Sequence, residues 1–137
     1  MQAEVFFKNY ADSFLDNSVE LVIPFYEFPC TFITKSEILT FQNKEEFIPI
    51  LKSTLIQYNE WKLAEINFEL GESTFEEEDK ISFWVYWVFK TETKEFLYQI
   101  STRYIVKTMD ENWRICGVLV LSDTNGIIPD QKEEVFI

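Results

Sequence analysis

Arg103 and a set of aromatic side chains are the residues of this sequence best suited to recognise a small molecule. Arg103 is a fixed cation in the middle of an otherwise apolar predicted strand, where a guanidinium either binds a carboxylate or phosphate or pairs with an internal acid. Aromatic rings with a polar edge are typical of ligand pockets, although rings at helix or strand spacing also fit a plain core. We therefore predict a ligand site formed by Tyr10, Phe14, Tyr26, Trp84, Tyr86 and Arg103.

Residue counts restrict the chemistry that this chain can perform. It has no histidine, which excludes an imidazole base, a Ser-His or Cys-His nucleophile pair and every histidine-containing metal site. Cys30 and Cys116 lie in apolar strand-like surroundings without CxxC spacing, so we predict two buried free thiols. Asp12 and Asp16 flank a helix end, where a solvated face is the simpler interpretation than a catalytic pair. The sequence predicts no catalytic residue, metal site or cofactor.

The overall composition predicts one globular domain that spans residues 1–137. Hydrophobic residues make up 47% of the chain and aromatic residues 18%, an excess of rings that favours a lined cavity or an interface. The formal net charge of -12 disfavours nucleic acid and anionic membrane surfaces as partners. The start of the chain lacks the pattern of a signal peptide, and no apolar run is long enough for a membrane helix. We therefore predict a cytoplasmic protein.

The first half of the chain predicts helices that flank a short hairpin. Residues 3–15 place apolar side chains at helical spacing, including Phe7, Tyr10 and Phe14. Capping-box patterns at residues 17–20 and 43–46 predict the starts of two further helices, with short strands at 28–34 and 38–41 between them. Because a proline inside a helix removes a backbone donor, Pro49 predicts a kink or a separate first turn in the last helix.

The second half of the chain predicts long strands, and two of these strands are apolar on both faces. Residues 81–89 and 113–121 carry apolar side chains at successive positions rather than at alternate ones. Helices can cover one face of such a sheet, so the other face needs a partner. A second copy of the chain is the simplest partner, and we predict a homodimer through the open sheet face. The segment 130–137 is predicted to be a mobile or subunit-crossing tail.

Several local patterns resemble the NTF2-like superfamily. Residues 10–16, followed by 25–33, resemble the opening of these domains, in which two helices lead into the first strand. Residues 103–107 and 110–115 resemble the closing "R-aromatic-aliphatic, turn, Trp-Arg-Ile" pattern of SnoaL-like members. The resemblance spans nearly the whole chain. It implies an α+β fold in which N-terminal helices pack on a curved antiparallel sheet, the NTF2-like or cystatin-like cone.

The resemblance to ketosteroid isomerases within this superfamily argues against their activity here. Tyr10 falls where those enzymes carry an oxyanion-hole tyrosine, but Thr34 stands at the position of the general base and Arg103 near that of the second oxyanion acid. A threonine does not take up a substrate proton near neutral pH, and a guanidinium does not act as a neutral carboxylic acid.

Three functions follow from this interpretation of the sequence. The first is a homodimeric small-molecule-binding protein whose cone takes a small apolar or anionic ligand. The second is a SnoaL-like or isomerase-like lyase or isomerase that uses a carboxylate not yet identified, so catalysis stays an open alternative. The third is a protein-interaction module that uses the aromatic sheet face.

Overall fold

Helices dominate the first part of the chain and long strands the second. The structure is a computed structural model that describes residues 2–108 and 110–125. Its elements are α1 (Ala3–Leu15), α2 (Val19–Val22), β1 (Tyr26–Ile33), β2 (Ile38–Phe41), α3 (Lys44–Glu60), β3 (Leu63–Glu77), β4 (Lys80–Thr91), β5 (Phe96–Lys107) and β6 (Arg114–Asn125). A 3-10 turn, Ile23–Phe25, joins α2 to β1. The tail predicted at residues 130–137 lies outside the described residues.

The described strands form one curved, unclosed sheet in the order β2-β1-β6-β5-β4-β3. All neighbouring strands are antiparallel except β1 and β6, which run parallel. The predicted α+β cone is therefore confirmed, with a mixed sheet in place of a purely antiparallel one. Apolar alternation reports which face a residue occupies and not the direction of the neighbouring strand, so the sequence pattern could not show the parallel pair.

Helix α1 buries the stripe that the sequence predicts. Phe7, Tyr10 and Phe14 are at most 2% exposed. The next helix differs from the prediction, because its N-cap is Ser18 rather than Asn17. Asn17 has a φ of 53° and follows the C-cap of α1, a position where asparagine tolerates the left-handed conformation. Asn17 therefore ends α1 instead of starting α2.

Helix α3 begins as predicted and then runs through its proline. The side chain of Asn43 accepts a hydrogen bond from the backbone N–H of Glu46 at 3.0 Å. The Glu46 carboxylate in turn accepts from the backbone N–H of Gln42 at 2.7 Å, so two otherwise unpaired donors at the helix start are satisfied. The helix continues from Lys44 to Glu60 with Pro49 inside it, and the separate first turn predicted there is not observed.

The core lies between the helices and one face of the sheet, which we call the inner face. Strand β4 shows the alternation clearly, because Phe83, Val85, Trp87 and Phe89 are at most 7% exposed and face the core. Within the described part of the chain, no helix covers the opposite face, which we call the outer face. None of the described helices is long and apolar enough to cross a membrane.

Candidate functional site

The six residues predicted to form one ligand site fall into two groups on opposite faces of the sheet. One group lies inside the cone and consists of Tyr10, Phe14 and Tyr26. The other group lies on the outer face and consists of Trp84, Tyr86 and Arg103. The sheet therefore separates Arg103 from Tyr10, and these two residues do not set the polarity of one shared pocket.

Tyr10, Phe14 and Tyr26 are packed among other aromatic rings. Tyr10 is 0% exposed, Phe14 2% and Tyr26 4%. The ring centroid of Tyr10 lies 5.1 Å from that of Phe14 and 5.8 Å from that of Tyr26, both in edge-to-face arrangements. Such contacts are those of a close-packed aromatic core.

Four tyrosine hydroxyls lie within this aromatic core, and we call Tyr10, Tyr26, Tyr58 and Tyr104 the tyrosine cluster. The hydroxyls of Tyr10 and Tyr26 are hydrogen-bonded at 2.5 Å. The indole Nε1 of Trp87 donates to the Tyr104 hydroxyl at 2.9 Å. The Tyr58 hydroxyl is buried and has no hydrogen-bond partner among the described residues. Within residues 2–108 and 110–125, it is therefore the one hydroxyl of the cluster that has no hydrogen-bond partner.

The tyrosine cluster is held in its neutral form. Burial raises the pKa of Tyr10, Tyr26 and Tyr58 well above the ordinary tyrosine value, because a phenolate is poorly solvated in an apolar core. Burial also raises the pKa of Tyr104. A neutral phenol both donates and accepts a hydrogen bond, so the cluster offers hydrogen bonding without charge.

The outer-face arginine is paired within the sheet. Arg103 Nη2 forms an ion pair with the Glu76 carboxylate and donates to the Ser82 hydroxyl at 3.0 Å. Of the two roles expected for this guanidinium, the structure shows the pairing with an acid. Glu76 belongs to β3, close to the turn at residues 78–79 that joins β3 to β4.

Trp84 and Tyr86 line the outer face beside β3. Tyr86 is 42% exposed and its ring covers the backbone of Gly71, where an added Cβ would stand 2.8 Å from Tyr86 Cε2. A glycine at this position lets the aromatic ring approach the neighbouring strand. The two aromatic side chains are thus held in place on the side of the sheet that lacks helices.

A shallow depression of about 540 Å³ occupies the middle of the outer face. It lies between strands β1, β5 and β6, and its lining includes Ile33, Arg103, Ile105, Cys116 and Leu119. Glu76, Glu77 and Lys80 from β3 and β4 also line it, and the two glutamates pair with Arg103 and Lys80. The depression therefore combines apolar side chains with ion pairs whose charges cancel.

The remaining candidates have structural roles. Thr34, which stands at the isomerase general-base position, is buried, and its hydroxyl donates to the carbonyl oxygen of Glu37 at 3.2 Å in the β1–β2 turn. Cys30 is buried and Cys116 is half-buried, both as free thiols. Asp12 is on the surface and pairs with Lys8 at 2.9 Å.

No aspartate or glutamate is buried among residues 2–108 and 110–121. The isomerase-like alternative requires a carboxylate beside the buried tyrosines, so this observation weighs against that alternative. Over the whole described part of the chain, no group of three or more metal-ligating side chains is positioned to hold a metal ion.

Sequence reasoning missed Tyr58, Trp87 and Tyr104, which complete the buried polar cluster. The two-residue repeat of a strand contains the signal, because Trp87 shares a face of β4 with Phe83 and Val85, and Tyr104 shares a face of β5 with Ile100 and Val106. A site prediction that takes all the aromatic residues on one face of each strand includes Trp87 and Tyr104. A prediction that takes the polar aromatic residues of both faces omits Trp87.

Comparisons with known proteins agree with this architecture. Residues 1–123 match the family described as "NTF2-like protein (DUF6841)". A cystatin-like domain of unknown function from Nostoc punctiforme has a TM-score of 0.65 at 16% identity. The alignment covers 91% of this chain and 75% of the Nostoc chain. An NTF2-like protein of unknown function from Shewanella oneidensis has a TM-score of 0.60 at 14% identity. The alignment covers 84% of this chain and 92% of the Shewanella chain.

A ketosteroid isomerase-like protein from Erwinia carotovora atroseptica is also similar, with a TM-score of 0.59 at 13% identity. The alignment covers 92% of this chain and 94% of the Erwinia chain. Comparison with curated protein sequences gave no match. Identities this low show a shared fold alone. The family match spans most of the chain, and the resemblance inferred from residues 10–33 and 103–115 is confirmed. The chain belongs to the NTF2-like DUF6841 family.

Proposed function

We propose that this protein is a homodimeric interaction module that assembles through its outer sheet face. The proposal rests on the apolar side chains of the outer face, which no described helix covers. Ile38 on this face is 70% exposed, Tyr86 42% and Ile33 37%. The apolar side chains of this face include Ile33, Ile38, Trp84, Tyr86, Ile105 and Leu119. Contiguous apolar surface of this kind is costly in water and marks an interaction site.

The charge distribution favours a second copy as the occupant. The chain as a whole is strongly acidic, which opposes association through most of its surface. On the outer face, however, Arg103 is compensated by Glu76, and Lys107 pairs with Glu27 at 2.7 Å. Two copies can therefore meet through this face without like charges at its centre. A twofold arrangement covers the same apolar patch on both subunits.

Cys116 provides a test of which surface the dimer covers. It lines the outer-face depression, and burial raises the pKa of its thiol, so alkylation requires a mildly alkaline buffer. We expect maleimide to modify Cys116 more slowly in the wild type than in an Ile33→Glu variant, which places a charge on the outer face. Peptide mass spectrometry after timed labelling measures both rates.

Ile56→Glu is the matched control for this experiment, because Ile56 is 59% exposed on α3, away from the outer face. This variant should label at the wild-type rate. Cys30, which is 0% exposed, reports unfolding, since it reacts only when the core opens. Equal Cys116 rates in all three folded proteins would contradict the proposal.

A second candidate function is the binding of a small neutral molecule at the tyrosine cluster. The buried Tyr58 hydroxyl favours it, because an unpaired polar group in a core costs about 1–3 kcal/mol unless a bound group satisfies it. The molecule would be largely apolar, to match the surrounding rings, with one oxygen that accepts a hydrogen bond. Entry requires the packed rings to move apart.

Native mass spectrometry of the purified protein tests this second candidate. We expect a co-purifying small molecule whose bound fraction falls about tenfold in Tyr58→Phe, because the phenyl ring keeps the packing and removes the hydroxyl. Arg103→Ala serves as the control and should retain the molecule, since Arg103 lies on the opposite face. Equal retention in Tyr58→Phe, or no bound molecule in the wild type, would remove the tyrosine cluster as a binding site.

A further inference from the structure

A groove runs along the free edge of β3, on the other side of the molecule from the outer-face depression. β3 is the edge strand of the described sheet and pairs only with β4 there. The groove has a volume of about 720 Å³ and lies between this strand and α1. An edge strand presents a row of unpaired backbone N–H and C=O groups to any extended chain that lies beside it.

The walls of the groove combine apolar and acidic side chains. Phe68 and Leu70 contribute apolar surface from β3, and Val5, which is 48% exposed, contributes it from α1. Glu4 adds a carboxylate from α1, and Glu69 adds one from β3, on the opposite face of the strand from Phe68 and Leu70. Both glutamates are exposed. The groove therefore offers apolar contact and negative charge to the same occupant.

The two glutamates of the groove have no ion-pair partner in the described part of the chain. Lys8 is the basic residue of the lining, and its ammonium group is engaged by Asp12 at 2.9 Å. Glu4 and Glu69 form no ion pair within residues 2–108 and 110–125, in contrast to Glu65 and Glu76 of the same strand, which pair with Lys94 and Arg103. A partner that brings positive charge could therefore pair with two carboxylates that no described basic residue engages.

We propose that this groove binds an extended basic segment of another protein, which adds to the sheet as a strand beside β3. Side chains alternate between the two faces of a strand. Residues of the segment opposite Phe68 and Leu70 would be apolar, and the one opposite Glu69 would be lysine or arginine. Backbone hydrogen bonds give such strand addition its affinity, and the alternating side chains give it specificity.

Charge argues against the two other occupants that the chain itself could provide. Pairing of β3 with the β3 of a second copy would bring its glutamates together, and like charges opposite one another in a sheet are destabilising. The segment 126–137 carries Asp130, Glu133 and Glu134 against the single Lys132, so its charge also matches that of the groove. The inference does not rest on the proposed dimer, because the groove and the outer-face depression share no lining residue, although Glu69 lies opposite Tyr86 at the margin of the outer face.

A labelled octapeptide of alternating lysine and valine tests the proposal by fluorescence anisotropy with the full chain. We expect saturable binding that weakens with added salt. We expect the affinity to fall about tenfold in the double variant Glu4→Lys, Glu69→Lys. The control is Glu92→Lys with Glu111→Lys, which makes the same change of net charge at two exposed positions outside the groove. This control should lower the affinity much less.

A second peptide separates strand addition from simple charge attraction. Methylation of alternate backbone nitrogens on the edge that faces β3 keeps the side chains and removes the hydrogen-bond donors, so this peptide should bind at least about tenfold more weakly. Equal binding of the methylated peptide would overturn strand addition. Equal loss of affinity in the groove and control variants, or no binding at about 1 mM peptide, would overturn the groove as the site.

Discussion

Replacement of Trp87 by alanine is expected to lower the free energy of unfolding by about 3–5 kcal/mol, the usual cost of removing a large buried ring. Trp87 is 0% exposed, its ring contacts those of Phe7 and Phe68, and its indole N–H donates to Tyr104. The substitution leaves a cavity and an unpaired hydroxyl in the middle of the core. Urea denaturation followed by circular dichroism measures the change.

Trp84→Ala is the matched control, because Trp84 lies three positions earlier in the same strand and faces the other way. Both changes are best made in the Ile33→Glu background, in which we expect no dimer whose dissociation could contribute to the unfolding transition. Trp84→Ala should there cost about 1 kcal/mol or less, as expected for a partly exposed side chain. Similar losses in the two variants would show that the inner and outer faces are assigned wrongly.

Ile33→Glu is expected to weaken dimerisation by about 100-fold or more. Ile33 lies on the outer face, where its neighbours in the ladders are Ile38 and Leu119. A carboxylate at this position would lose its water in the dimer without gaining a cationic partner, a penalty of about 3 kcal/mol or more. Sedimentation velocity over a concentration series gives the two dissociation constants.

The same substitution at Ile56 separates the interface from the general effect of one more negative charge. Ile56 is exposed on α3, and Ile56→Glu should dimerise as the wild type does. Far-ultraviolet circular dichroism should be the same for both variants, because each replaces an exposed isoleucine. If Ile33→Glu dimerises with wild-type affinity, the outer face is not the interface.

Much of the fold could be predicted because periodicity reports burial directly. The spacing of Phe7, Tyr10 and Phe14 predicts the buried stripe of α1. The two-residue repeat of a strand places Phe83 and Trp87 on one face of β4 and Trp84 on the other. The start of α3 at Asn43 could also be predicted, since a capping box depends on neighbouring residues alone.

The candidate site was harder to predict, because period-two patterns define two faces without saying which one the helices cover. Arg103 is a polar exception within an apolar strand, but its side chain lies on the outer face with Glu76, 27 residues away in sequence. Tyr58 joins the tyrosine cluster from α3, and only the packing of that helix on the sheet brings it near Tyr104. Long-range contacts of this kind leave no local signal in the chain.

The mass of the wild-type chain in solution tests the central claim, dimerisation through the outer face, most directly. Sedimentation equilibrium of the wild type and of Ile33→Glu, at the same concentrations, measures it. We predict twice the chain mass for the wild type at micromolar concentration and the mass of a single chain for Ile33→Glu. A single-chain mass for the wild type at concentrations up to about 100 μM, or a dimer that Ile33→Glu leaves intact, would contradict the claim.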